Sequence, residues 1–170
     1  MTTKLVTSAV QVREAIADDA RALHELEREI YRDGRWFVGD SAPTEWSLRE
    51  RIRSSLGNRS LWLVAHVDGQ LAGWLELHRF PNRRMEHVAT LTIAVGGRFR
   101  RRGVASSLLE EAFGWARSVG VGKITLNVRA NNRAAISLYE RFGFEHEGRE
   151  RQQIRTDTGF EDNLVMAKFL

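Results

Sequence analysis

Apolar residues recur along this chain in two rhythms, one of period two and one of period 3.6, and the changes between them lay out the elements. After a short polar lead (1–8), expected to be flexible, "VQVREAI" (10–16) alternates as a half-buried strand does. Asp18 stands where a helix cap belongs, and Leu23, Leu26 and Ile30 follow at helical spacing as far as Asp33-Gly34. The stretch 32–46, "RDGRWFVGDSAPTEW", mixes glycine, proline and aromatics and reads as a loop. A second helix is expected over 45–56, stopping at Gly57-Asn58. "SLWLVAHV" and "QLAGWLELH" flank Asp68-Gly69, a strong hairpin signal, and "HVATLTIAV" (87–95) is a further strand rich in β-branched residues.

In the second half a helix is expected over 104–119. Leu108, Leu109, Ala112, Phe113, Ala116 and Val119 form its inner stripe, and Glu110, Glu111 and Arg117 its wet face. "KITLNV" (123–128) is a strand. "NNRAAISLYERFGF" (131–144) is a helix with Ala135, Ile136, Leu138, Tyr139 and Phe142 inward and Gly143 at its C-cap. Strands at 146–155 and 160–169, joined by "TDTG", finish the chain. Strand, two helices, three strands, helix, strand, helix, two strands is the order of an α/β fold with a mixed sheet, not a doubly wound parallel one.

Composition narrows the field. A chain of 170 residues, 42% hydrophobic and 28% charged, suits one globular domain over 1–170 with a real core. It has no cysteine, so disulfides, a thiolate nucleophile and Cys-based zinc sites are excluded, and no metal is expected. No apolar run approaches the roughly 18 residues of a membrane helix, and the start lacks the apolar core of a secretory leader. A cytoplasmic protein without membrane partners is the expectation. The net charge of +4 is mild and acids interrupt most of the bases, which argues against a nucleic-acid partner.

One segment departs from that even mixture. "RFRRRGVASS" (98–107) places four arginines and a glycine immediately before the third helix. The first turn of a helix has unpaired N–H groups and roughly half a positive charge. Gly103 lacks the Cβ that would hold a ligand off the backbone, and Ala105, Ser106 and Ser107 keep the next turn small. With Arg100, Arg101 and Arg102 around it, this is a cradle for an anion, or a basic surface turn. Neither G-x-x-x-x-G-K-[ST] nor G-x-G-x-x-G is present.

Arg100-x-x-Gly103-x-Ala105 after a "TIAV" strand, with "NNRAAISLYERFGF" some thirty residues on, resembles the GCN-five-related N-acetyltransferase (GNAT) superfamily. The first part is similar to its [QR]-x-x-G-x-[GA] loop and the second to its N-x-x-A-I-x-L-Y-x-x-x-G-F helix. "RRMEHVA" and the closing "EGRERQQIRTDTGFEDNLVMAKFL" resemble a subgroup acting on amino acids and other small amines. The resemblance implies a single-domain mixed sheet of about seven strands flanked by about four helices, splayed between the fourth and fifth strands. It implies acetyl-CoA as co-substrate, with the backbone of Ile93, Ala94 and Val95 along the pantetheine. The pyrophosphate would lie on Arg101, Arg102, Gly103, Val104, Ala105 and Ser106, with Arg100 beside it. Asn132 would touch the cofactor arm, and Tyr139 would lie close to the thioester sulfur.

Acetyl transfer to an amine calls for a neutral amine, a donor for the developing oxyanion and a proton for the leaving thiolate. The N–H of Val95 suits the second and Tyr139 the third, although Tyr139 also has helical spacing for a core aromatic and Asn132 for an ordinary helix start. For the base, the resemblance would place a glutamate in mid-strand where this chain has Ala89 and Thr90. His87 and Glu76 are the candidates, with Glu86 and His78 beside them, or no dedicated base at all. Trp36, Phe37 and Trp46 are candidates to line the acceptor pocket, with Asp33, Asp40 or Glu29 to hold an ammonium. The reading is direct transfer to a small primary amine, in a possible homodimer. Protein N-terminal or lysine acetylation and a non-catalytic acyl-CoA-binding module stand as alternatives.

Overall fold

The computed structural model describes residues 9–34, 36–37, 39, 41–55 and 59–170. The lead 1–8, Asp40 and the expected helix stop at Gly57-Asn58 lie outside the described residues. A seven-stranded sheet is built from β1 (Gln11–Glu14), β2 (Ser60–Val67), β3 (Gln70–Arg79), β4 (Val88–Val95), β5 (Lys123–Arg129), β6 (Glu145–Thr156) and β7 (Gly159–Phe169) in the order β1-β2-β3-β4-β5-β7-β6. Among the described residues only β4 and β5 run parallel; the other paired strands are antiparallel. Helices α1 (Ala20–Arg32) and α2 (Glu45–Ser54) cover one face, α3 (Val104–Ser118) and α4 (Arg133–Arg141) the other.

Each face has its own core. On the α3/α4 side Leu63, Leu75, Leu77, Leu108, Leu109, Ile124 and Met166 are almost wholly buried, each worth about 1.5–3 kcal/mol of transfer energy. On the other side Leu23, Leu26, Ile30, Leu48 and Ile52 pack on Trp62, Val64, Trp74 and Ala94. The alternating positions of β2 and β3 supply both cores, because both strands are covered above and below.

Most boundaries fall within a turn of those expected, with one local correction. Asp18 is exposed; Asp19 occupies the cap position of α1, and its side chain does not cap the helix. Its carboxylate instead takes the N–H of Ile16 at 2.8 Å and a two-pronged contact from Arg13 at 2.6 and 2.7 Å. A bidentate guanidinium is a stronger partner than one further N–H, and it sews β1 to the helix start.

The ladder between β4 and β5 is short. It pairs Val88 with Lys123, Ala89 with Ile124 and Thr90 with Thr125, and then the strands part. On its other side β4 stays paired with β3 along its whole length, from Arg79–Ala89 to Gly73–Val95. Gly73 lets α3 close in over this end: a Cβ there would meet Ala94 O at 2.7 Å and a methyl of Val104 at 3.0 Å. The start of α3 is thereby pinned at the mouth of the splay.

Candidate active site

The free edge of β4 follows from the register of an antiparallel ladder, in which successive residues send their backbone groups to opposite sides. The N–H of Gly96 donates to Ala72 O at 2.9 Å, so counting back by twos, Ala94 and Thr92 turn their backbone groups toward β3. Ile93 and Val95 therefore direct theirs to the side that β5 has left. Of the three residues expected along the pantetheine, two offer backbone hydrogen bonds to the cleft, while Ala94 uses its own on Trp74.

At the mouth of the cleft Arg101 has φ +59° and Gly103 φ +82°, and α3 begins immediately after. No side chain caps the helix, so the first-turn N–H groups of Val104, Ala105 and Ser106 face outward. A Cβ on Gly103 would meet nothing within 4 Å, so the concavity is open. Two left-handed residues leading into an uncapped helix start form a nest of N–H groups, and a pyrophosphate fits it. The arginines do not form an isolated basic stripe. Arg100 pairs with Asp33 and Arg102 with Asp68, each at 3.3 Å, and Arg98 and Arg102 lie over the ring of Phe99. These exposed pairs are weak and readily exchanged for phosphate.

Tyr139 lies in the core on the α3/α4 side, 7% exposed, its ring 5.6 Å from that of Phe144. Its hydroxyl has no hydrogen-bond partner among the described residues, and burial pushes its pKa up to about 12. Asn132 caps α4, its Oδ1 accepting the N–H of Ala135 at 3.2 Å, which leaves its NH2 group for a ligand.

The side expected to take the acceptor is the face carrying α1 and α2. Phe37 stacks on Tyr31 (5.4 Å) and leans on Trp74 (6.2 Å), which stacks on Trp62 (5.3 Å). Trp36 is half-buried in the same loop, whereas Trp46 is 73% exposed and lines nothing. Glu76 lies on this face opposite Thr92 of β4, with its carboxylate 2.8 Å from Arg51, whose guanidinium covers Trp62. His87 is exposed just before β4, at the end where the strand is still paired with β5. The structure does not bring it to the splay. Among the described residues no group of three or more His, Cys, Asp or Glu converges as metal ligands do.

Glu27 escaped the sequence reading. It is 2% exposed on α1, has no hydrogen bond among the described residues and is pushed up to about 7 by burial, against a smaller pull from Arg51. Its spacing from Leu23 and Ile30 puts it on the apolar stripe, and that was the available signal. Because the native state holds this proton above the ordinary carboxyl value of 4.5, stability falls as pH rises from about 4.5 through about 7. Glu27→Gln is expected to flatten that fall, narrowing the difference in Tm between pH 5 and pH 8 by a few degrees. Melting curves of both proteins at the two pH values check it; an equal fall in the variant would contradict it.

The acetyltransferase (GNAT) family profile matches residues 20–144. An L-amino acid N-acetyltransferase of Escherichia coli is 30% identical over 95% of this chain and 98% of its own length. A ribosomal protein bS18-alanine N-acetyltransferase of the same organism is 36% identical, over 72% of this chain and 79% of its own. Among solved structures, a GNAT-family acetyltransferase from Streptococcus pneumoniae superposes with a TM-score of 0.89 at 27% identity, covering 95% of this chain and all of the other. An acetyltransferase from Salmonella typhimurium, solved with acetyl-CoA, shares the fold with a TM-score of 0.88 at 17% identity, covering 96% of this chain and 95% of its own.

Proposed function

The chain belongs to the acetyltransferase (GNAT) family and is an acetyl-CoA-dependent N-acetyltransferase, and we propose that its acceptor is the primary amine of a free amino acid or a similar small molecule. The observation that carries the acceptor reading is a bond across the splay. Arg129, at the end of β5, donates to the carbonyl of Phe37 at 3.3 Å and ties the loop after α1 down over the acceptor face. A loop held in that way leaves room for a small molecule more readily than for a polypeptide. The match to an amino acid N-acetyltransferase over nearly the whole of both chains supports the same reading.

In this reading the nest from Arg101 to Ser106 holds the pyrophosphate, with Arg100 and Arg102 turned from their aspartates. The NH2 group of Asn132 steadies the cofactor arm, and Ile93 and Val95 bond the pantetheine as a neighbouring strand would. The Val95 N–H donates to the carbonyl oxygen as it gains charge, and the Tyr139 hydroxyl donates to the departing sulfur. Transfer is direct, since the chain has no cysteine to carry an acyl group. The amine's proton leaves through water toward Glu76, on the acceptor face, rather than toward His87. Trp36 and Phe37 form the apolar wall of the acceptor pocket.

Thiol release from acetyl-CoA, followed with the twenty L-amino acids, polyamines and short peptides as acceptors, tests the proposal. At least one amino acid is expected to give a kcat/KM ten times that of any tripeptide. A preference of the same size for peptides would overturn it.

A further inference from the structure

Four buried side-chain polar atoms have no hydrogen-bond partner among the described residues: Trp62 Nε1, Trp74 Nε1, Arg129 Nε and Glu150 Oε2. Buried orphans are few in native proteins and call for a cause. All four lie on the acceptor face of the sheet. The two indoles lie in the core beneath α1 and α2. The other two belong to one row: Arg129 of β5 pairs in register with Asn163 of β7, and Asn163 with Glu150 of β6. Residues directly opposite one another in adjacent strands share a face, so the guanidinium, the amide and the carboxyl stand side by side where β5 borders the splay.

The bonding of this row is lopsided. The Arg129 side chain is 10% exposed; each terminal nitrogen makes one bond, to Glu161 at 2.9 Å and to Phe37 O at 3.3 Å, and Nε is the nitrogen left without any partner among the described residues. Glu161 is held further by the amide of Asn131 at 2.9 Å and balances the charge of Arg129. Asn163 is 8% exposed, and Glu150 has neither hydrogen bond nor ion pair among the described residues. The row thus presents an unpartnered Nε–H on a cation and an unpartnered carboxylate, and with Glu161 counted it carries an excess of one negative charge. The Cα atoms at its ends are about 10 Å apart, two strand spacings, a span that two long side chains can close around a small zwitterion.

We propose that Glu150 binds the acceptor's ammonium and that Arg129, through Nε–H, binds its carboxylate, making the row the determinant of specificity for an α-amino acid. The inference rests on the small-amine reading given above and names the groups that read the acceptor. Asn163 stands between them in register. Once the amine has lost its proton and attacked, Glu150 no longer holds a cation, which favours release of the acetylated product.

The test uses the full chain with acetyl-CoA. The amino acid with the highest kcat/KM is compared with its amide, its decarboxylated amine and trialanine. Glu150→Gln is nearly isosteric and breaks no hydrogen bond or ion pair within the described residues, so the fold is expected to be kept. It is expected to raise KM at least tenfold for all four acceptors while coenzyme A affinity, by calorimetry, stays the same. Arg129→Lys keeps the charge and removes Nε–H together with the bond to Phe37 O; any loss from the freed loop is shared by all acceptors, and the KM of the amino acid is expected to rise a further tenfold relative to its amide and its decarboxylated amine. Acceptor KM within twofold of the parent in Glu150→Gln would overturn the proposal. If the parent acetylates trialanine and no amino acid, the small-molecule reading fails. In that case a raised trialanine KM in Glu150→Gln upholds the ammonium site and an unchanged one overturns it. Silence toward every acceptor overturns both.

Discussion

Tyr139→Phe is expected to lower kcat on the order of 10²-fold, while coenzyme A affinity and Tm hardly change. The substitution retains the ring, its burial and its contact with Phe144, and removes only the hydroxyl. Loss of one donor aimed at developing charge in a dry site costs about 10²–10³ in rate. The position of its pKa decides how this donor works. Burial pushes Tyr139 up to about 12, whereas an ordinary thiol lies near 8.5, so complete proton transfer to the thiolate would be uphill by about 3.5 pKa units, or about 5 kcal/mol. A hydrogen bond to the leaving sulfur, with the proton staying on oxygen, carries no such penalty. The pH–rate profile is therefore expected to show no tyrosine limb below pH 10. Parallel losses in binding and rate would instead make Tyr139 a positioning group, and near-normal turnover would remove it from the reaction.

Gly103→Asp is expected to weaken acetyl-CoA binding at least a hundredfold, about 2.7 kcal/mol. Two effects act together. The substitution sets a carboxylate where the pyrophosphate is proposed to sit, and like charges forced together cost several kcal/mol. It also places a side chain in the open concavity that the glycine leaves. Aspartate is among the residues that tolerate φ near +82°, and nothing lies within 4 Å of the new Cβ, so the fold is expected to survive. Gly103→Ala separates the contributions: it fills the space and strains the backbone without adding charge, and so should fall between the parent and the aspartate variant. Calorimetry with coenzyme A reads all three, and unchanged affinity in Gly103→Asp would place the pyrophosphate elsewhere.

The order of the elements was legible because each carries its own local rhythm; the third and fourth helices and the hairpin at Asp68-Gly69 lie where periodicity put them. The left-handed glycine at the start of α3 was legible too, since a glycine beside a helix start is a feature of adjacent residues. What stayed hidden depends on register. The row Arg129–Asn163–Glu150 unites residues from three strands, and β6 is bulged on both sides of it, between His146 and Gly148 and between Glu150 and Ile154. Such shifts reverse which residues share a face, and no local pattern announces them. Asp19 replaced Asp18 for a comparable reason, as its partner Arg13 comes from a preceding strand. His87 looked attractive by residue type alone, yet it stands at the paired end of β4, away from the splay.

The splay also bears on how such an enzyme diversifies. The groups that Ile93 and Val95 turn to the cleft belong to the main chain, and every amino acid other than proline supplies them. Side chains along that edge can therefore drift without loosening the grip on the shared co-substrate. On the far bank, at the proposed acceptor row of Arg129, Glu150 and Asn163, recognition would reside wholly in side chains, so a single codon change there would alter what is accepted. In that arrangement new acceptors could arise without rebuilding the edge that would hold acetyl-CoA.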